Sequence, residues 1–173
     1  MSNLKEYLLY TRVISQTPVG SLTLFAGENG LSQISYGSIP GPQAAQKEIQ
    51  SLLDEATGQL EEYFDGRRRI FELPLDWNGF TPYREKVLRA CFAIPYGMVL
   101  TYGQLAAQTG NPKAARAVGS FMASNPLPIV IPCHRVVGSD GGLRGYGGGS
   151  DGLPTKTWLL HLEGRTVANN RLI

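Results

Sequence analysis

The sequence predicts an α+β fold in two parts: residues 1–78 form a strand-and-helix scaffold, and residues 79–173 form a mostly helical domain with a helix-turn-helix. Three observations predict it. Short apolar runs separated by turn signals occupy residues 7–36, as strands do. Helical apolar spacing follows over 43–64 and returns after 81. Between them, Asp76 to Gly79 interrupts both patterns. A chain of 173 residues is long enough for one domain or two small ones with a real core.

In order, Tyr10 to Ser15 reads as a strand, and Pro18-Val19-Gly20 as a turn. Leu22 to Phe25 is a second strand. Glu28-Asn29-Gly30 suits a tight hairpin, because Asn-Gly tolerates positive φ. Leu31 to Tyr36 is the third strand, stopped by the prolines and glycine of Ser38 to Pro42. Over 43–64, Ala45, Ile49, Leu52, Leu53, Ala56, Leu60, Tyr63 and Phe64 share one helix face, and Gly58 is a candidate break. Ile70 to Leu73 is expected to return to strand. Arg67 to Arg69 read as a solvated basic run.

In the second half, Thr81-Pro82 is a helix start, with proline in the first turn. Val87, Leu88 and Cys91 make its core face, and Ile94-Pro95-Tyr96-Gly97 stops it. Met98 to Leu100 is expected to be a short strand. Thr101-Tyr102-Gly103-Gln104 is a capping box that opens a helix through Thr109. Gly110-Asn111-Pro112 turns into a second helix, 113–123, rich in Ala, Gly and Ser. Small residues allow close backbone approach, whereas side chains for reading a major groove are absent. An ordinary core hairpin also favours alanine. A glycine-rich loop, 138–149, lacks the Gly-Lys-Ser/Thr of a phosphate loop. A last helix spans 155–162.

The chemistry concentrates in Ile131-Pro132-Cys133-His134-Arg135-Val136. A thiolate is the working nucleophile, and a nearby His or Arg favours it. A pKa lowered from about 8.5 to about 5.5 would ionise most of the thiol at neutral pH, a shift of roughly 4 kcal/mol. Taken alone, the hexamer fits a buried core-strand Cys followed by a satisfied His equally well.

Composition narrows the class. No long apolar run follows Met1 to Lys5, so neither a leader nor a membrane span is expected. Two cysteines, expected as free thiols, point to a reducing setting: the cytoplasm, or the nucleus of a eukaryote. Two Cys and two His without ligand spacing predict no metal, and no cofactor is expected. The net charge of +2 splits into −4 over residues 1–80 and +6 over 81–173, so the half with the hexamer is the half suited to a polyanion.

Several spaced motifs then agree in order. Asn111-Pro112-Lys113-Ala114-Ala115-Arg116-Ala117-Val118-Gly119, Asn125-Pro126 and Pro132-Cys133-His134-Arg135-Val136 resemble the O6-alkylguanine-DNA alkyltransferases (methylated-DNA–protein-cysteine methyltransferases). Tyr146 with Gly148 and Gly149, then Lys156, Trp158-Leu159-Leu160 and Glu163-Gly164, continue the match. Over the first 80 residues it rests on Tyr63-Phe64-Asp65-Gly66 and Leu73-Pro74-Leu75.

The resemblance implies a ribonuclease-H-like N-terminal domain and a winged-helix-like C-terminal one. It implies a monomer that binds duplex DNA and moves an alkyl group from guanine O6, or thymine O4, to Cys133, once per molecule. By resemblance His134 takes the thiol proton through a water, and Glu163 orients His134. Tyr102 donates toward guanine N3, and Asn125 organises the turn presenting Cys133. Met122, Pro128, Val136, Tyr146, Gly147 and Gly148 line the pocket, with the Cys133 and Val136 carbonyls reading the guanine amino group. Arg116 fills the gap left by a flipped base, and Thr101, Ala114, Ala115, Ala117, Gly119, Ser120 and Arg135 meet DNA.

Two departures stand out. Gly147 sits where many members carry Ser or Ala, and Gly149 to Pro154 is a few residues longer than usual, which predicts a mobile pocket lip and room for larger alkyl groups. Two other classes compete: a sensor of alkylated bases that does not dealkylate them, and a cysteine hydrolase. Cys133 argues against the first. Adjacent Cys and His side chains pointing apart on a strand argue against the second.

Overall fold

The structure, a computed structural model, describes residues 9–44, 46–147 and 149–173. Strands β1 (Tyr10–Ile14), β2 (Leu22–Gly27) and β3 (Gly30–Tyr36) form an antiparallel meander in the order β1-β2-β3. Leu22, Leu24 and Ala26 alternate inward and are fully buried. The β2–β3 turn needs glycine: Gly30 has φ +124°, and a Cβ there would lie 2.4 Å from the Pro74 carbonyl oxygen.

Helix α1 (Lys47–Phe64) lays Ile49, Leu53, Ala56, Leu60 and Tyr63 on this sheet. Gly58 does not split it. A single glycine costs about 1 kcal/mol, less than the burial of the apolar residues on either side contributes. Ala45 lies outside the described residues. The strand expected at Ile70 to Leu73 is also absent. Ile70 is exposed, and the chain meets β3 only beyond it, through Leu31 N–H to Pro74 O (2.8 Å) and Asp76 N–H to Leu31 O (2.9 Å).

Helix α2 (Pro82–Phe92) buries Val87, Leu88 and Cys91, although the Thr81 side chain makes no capping bond. Strand β4 (Leu100–Thr101) starts later than expected, because Met98 is exposed. It pairs in parallel with β5 (Val136–Val137). The capping box is formed: Thr101 Oγ1 accepts the Gln104 N–H (3.1 Å), and Gln104 Oε1 accepts the Thr101 N–H (2.7 Å). It opens α3 (Tyr102–Gln108), which packs on α4 (Ala115–Ala123) as a helix-turn-helix. After α5 (Leu153–Leu162), a hairpin the sequence did not announce joins β6 (Val167–Ala168) to β7 (Arg171–Leu172). Its turn residues, Asn169 and Asn170, both have positive φ, as a tight hairpin requires.

One apolar core runs through both halves, from Leu22 and Tyr63 to Ile131 and Leu159. Across that seam Phe64 meets Trp158 edge-on, and Tyr63 meets Tyr96. Among the described residues no helix is long and apolar enough to cross a membrane.

Candidate active site

Cys133 is presented by a stiff turn. Asn125 Nδ2 donates to the Ile131 carbonyl (2.8 Å), its Oδ1 accepts the Leu127 N–H (3.0 Å), and the Ile131 N–H closes on Leu127 O (2.8 Å). Within it Ile129 is buried at φ +76°, an unfavourable conformation for a β-branched residue that the surrounding bonds impose. The scaffold braces the same turn, with the Ile34 N–H on Pro126 O (2.8 Å). Cys133, His134 and Arg135 then form a single 3-10 turn rather than a strand. The two neighbouring side chains are therefore not forced to opposite faces.

His134 is fully buried, and its Nε2 lies 2.9 Å from Glu163 Oε1. Glu163, at the end of α5, collects further donors: the Tyr63 hydroxyl (2.7 Å), the Gly97 N–H (3.0 Å) and the Arg135 guanidinium, with Nη2 at 2.7 Å from Oε1 and Nε at 2.9 Å from Oε2. Burial pushes the Glu163 carboxyl up, but the hydrogen bonds from His134 and Arg135 outweigh it and hold the group well below the usual carboxylate range. An ionised carboxylate only accepts, so Nε2 of His134 carries the proton and Nδ1 keeps a lone pair. That Nδ1 is buried and has no partner among the described residues. Burial also lowers the His134 pKa, against the pull of Glu163, so the ring rests neutral. A neutral imidazole with one free lone pair is a general base.

Arg135 corrects an expectation. It does not meet the solvent where DNA would lie: it is buried, paired with Glu163, and also donates to the Ile94 carbonyl. A guanidinium in the interior needs such a partner. The thiol corrects another. Burial raises the Cys133 pKa, although hydrogen bonds from Asn125 and Tyr146 and the charge of Lys156 pull it down. Arg135 is committed to Glu163 and does not supply the expected acidification. The resting group is a neutral thiol.

Lys156 is the residue whose role sequence reasoning passed over. It is 1 % exposed, and its Nζ donates to the carbonyls of Val136 (2.7 Å) and Leu143 (2.9 Å), tying the glycine-rich loop to β5. Burial lowers its pKa to about 8. A lysine beside Trp158, Leu159 and Leu160 on a helix is the available sequence signal. The Val136 carbonyl is thus already engaged, with one lone pair to spare.

Two cavities meet at Cys133. The larger, about 660 Å³, is lined by Thr101, Tyr102, Ala115, Arg116, Gly119, Met122 and Tyr146. The smaller, about 410 Å³, opens between the halves and is lined by Gln33, Ser35, Tyr36, Met122, Pro128 and Gly147. Tyr36 donates to the Tyr146 hydroxyl across this seam (3.0 Å). Of the other expected residues, Ala114, Ala117 and Ser120 lie on or just before α4 outside both linings, with Ser120 exposed. Gly148 lies outside the described residues. Among the described residues no group of three or more His, Cys, Asp or Glu gathers as metal ligands do, and both cysteines are free thiols.

Comparison with known proteins identifies the family. Residues 7–77 match the family model for the 6-O-methylguanine DNA methyltransferase, ribonuclease-like domain, and residues 82–165 that for the 6-O-methylguanine DNA methyltransferase, DNA binding domain. The methylated-DNA--protein-cysteine methyltransferase of Methanosarcina acetivorans is 39% identical over 156 residues, 87% of this chain and 96% of the relative. The constitutive one of Bacillus subtilis is 39% identical over 86% of this chain and 92% of its own. Among solved structures, Mycobacterium tuberculosis OGT in complex with DNA superposes with a TM-score of 0.76 at 37% identity, covering 90% of this chain and 93% of that one.

Proposed function

Because this chain belongs to the 6-O-methylguanine DNA methyltransferase family, we propose that it repairs alkylated DNA by moving the alkyl group from guanine O6 to Cys133. The observation that carries this is the buried thiol at the junction of two cavities, beside a neutral His134 whose other nitrogen is pinned by Glu163.

The Cys133 sulfur attacks the alkyl carbon as the C–O6 bond breaks, and a thioether forms. The thiol proton passes through a water to Nδ1 of His134, and Glu163 stabilises the resulting imidazolium. The leaving guanine anion takes a proton or hydrogen bond at N3 from Tyr102, which lines the large cavity. Burial keeps the Tyr102 hydroxyl protonated for that purpose, and negative charge on the Cys133 sulfur reinforces it as the thiol ionises. A thioether has no ready leaving group, so each molecule reacts once.

A stacked base cannot reach Cys133, so the damaged nucleotide is flipped at a cost of a few kcal/mol. The small residues Ala115, Ala117, Gly119 and Ser120 of α4 let the helix approach the minor groove, and exposed Arg116 fills the gap in the stack. Met122, Tyr146 and Pro128 hold base and alkyl group, and the free lone pairs of the Cys133 and Val136 carbonyls accept from the guanine amino group. Gly147, at φ +58°, offers its backbone N–H to O6. In this reading residues 1–78 are a ribonuclease-H-like scaffold and 79–173 a winged-helix-like domain.

The test is mass spectrometry after incubation with a short duplex carrying O6-methylguanine. The expected result is one methyl on the peptide holding Cys133, at most one per molecule. Protein that binds but stays unmodified, or that turns over repeatedly, would overturn the proposal.

A further inference from the structure

The large cavity has two formally charged lining side chains among the described residues, and both are arginines on separate elements: Arg116 on α4 and Arg144 on the loop between β5 and α5. The mechanism above uses only Arg116. Resting on that mechanism, we infer that Arg144 grips a phosphodiester of the flipped nucleotide at the cavity mouth, and that Asp140 holds Arg144 in place until the phosphate arrives.

Three features support this. First, position: a base that fills the cavity leaves its sugar and flanking phosphates at the rim, where Arg144 lies with Ser139 and Ser150. Arg144 is also close enough to Tyr102 to favour its ionised form. Second, backbone: Arg144 has φ +67°, a conformation glycine adopts more cheaply. It is fixed there by its neighbours, since the Leu143 N–H bonds Asn170 O (2.9 Å) and the Leu143 carbonyl accepts from Lys156. The buried Lys156 and the C-terminal hairpin thus set where this cation points.

Third, its partner is weak. Arg144 Nη2 lies 2.6 Å from Asp140 Oδ1, but both side chains are largely exposed, 58% and 43%. Such pairs are strongly screened and easily exchanged. Asp140 also receives Arg171 at its backbone carbonyl (2.6 Å), so two guanidinium groups converge on one carboxylate-bearing residue. A phosphate brings two acceptor oxygens of its own, matched to the guanidinium fork.

The experiment measures binding of a fluorescent duplex carrying O6-methylguanine in a Cys133→Ala background, at several salt concentrations, with Arg144→Gln and Asp140→Asn added separately. Asn keeps the oxygen that accepts the Gly142 N–H and removes the charge. Arg144→Gln should weaken binding about fivefold and flatten the slope of log K against log salt by about 0.9, the contribution of one phosphate contact. Asp140→Asn should tighten binding and steepen the slope. With Cys133 restored, Arg144→Gln should slow transfer from the duplex about fivefold more than transfer from free O6-benzylguanine, which has no phosphate. Slopes unchanged in both variants, or equal losses on duplex and free base, would overturn the inference. Absence of any alkyl on Cys133 in the unsubstituted protein would instead overturn the mechanism it rests on.

Discussion

Tyr63 and Glu163 are 100 residues apart in the chain, and the hydroxyl of one donates to the carboxylate of the other over 2.7 Å. The same hydroxyl lies 3.4 Å from Nε2 of His134. Tyr63 sits near the end of α1 of the scaffold, so His134, the proposed base, is held partly by the other half of the chain.

Tyr63→Phe removes that hydroxyl without opening a cavity. Hydrogen bonds to charged groups contribute about 1.5–3 kcal/mol, and the remaining donors to Glu163 offset part of the loss. The variant should lose about 1 kcal/mol in urea unfolding and transfer methyl several-fold more slowly in single-turnover assays. Full activity would show that the Arg135 and Gly97 donors suffice.

The pH dependence follows from two opposed shifts. The His134 pKa lies below the ordinary imidazole value of about 6.5, and the Cys133 pKa lies above its ordinary value. In the proposed mechanism the active pair is neutral thiol with neutral imidazole. The transfer rate should therefore be flat from pH 7 upward and fall in acid, once His134 gains a proton. A rate rising tenfold per pH unit between 7 and 9 would mean that the thiolate forms without the base. Stability should fall in acid as well. Both His134 and Glu163 are depressed in the fold, so the unfolded chain takes up protons first, from about pH 6.5 and about 4.3 downward respectively.

Lys156→Met keeps length and removes three donors. The carbonyls of Val136 and Leu143 lose their partner, each at about 1–3 kcal/mol, while relief of a buried charge offsets part of this. A net loss of about 1–3 kcal/mol is expected, with transfer slowed roughly tenfold as the loop bearing Tyr146 loosens. Thermal unfolding and single-turnover rates check it. A stable variant with normal transfer would mean that the loop holds itself.

The longer lip and the smaller cavity predict tolerance of bulky groups. The smaller cavity adds about 410 Å³ beside Cys133, enough for an aromatic ring. Guanines carrying O6-benzyl should react at least as fast as those carrying O6-methyl, measured side by side as competing duplexes. A strict methyl preference would count against it.

Much of this site was legible in the sequence because its parts are local. Thr101 and Gln104 announced their capping box, and the α3–α4 turn and the Cys133 hexamer stood in contiguous residues. What escaped depends on distant packing. Arg135 sits in a basic half and reads as a surface cation, and only the fold shows Glu163 beside it. Segment 70–73 reads as a strand, but the chain docks through two bonds further along. Gly58 looked like a break, yet helix packing overrode its propensity. Lys156 was visible as a motif residue without a role, because the carbonyls it gathers come from two other segments.

Among the described residues the scaffold reaches the second half through four polar contacts: Ile34 to Pro126, Tyr36 to Tyr146, and Tyr63 to both Glu163 and His134. Each lands on a different element of the reactive centre, so severing the linker near Asn78 should not release either piece. A protease nick there should leave a particle that still sediments as one body and still accepts methyl. The C-terminal fragment expressed by itself should lack competence until the missing piece is supplied in trans.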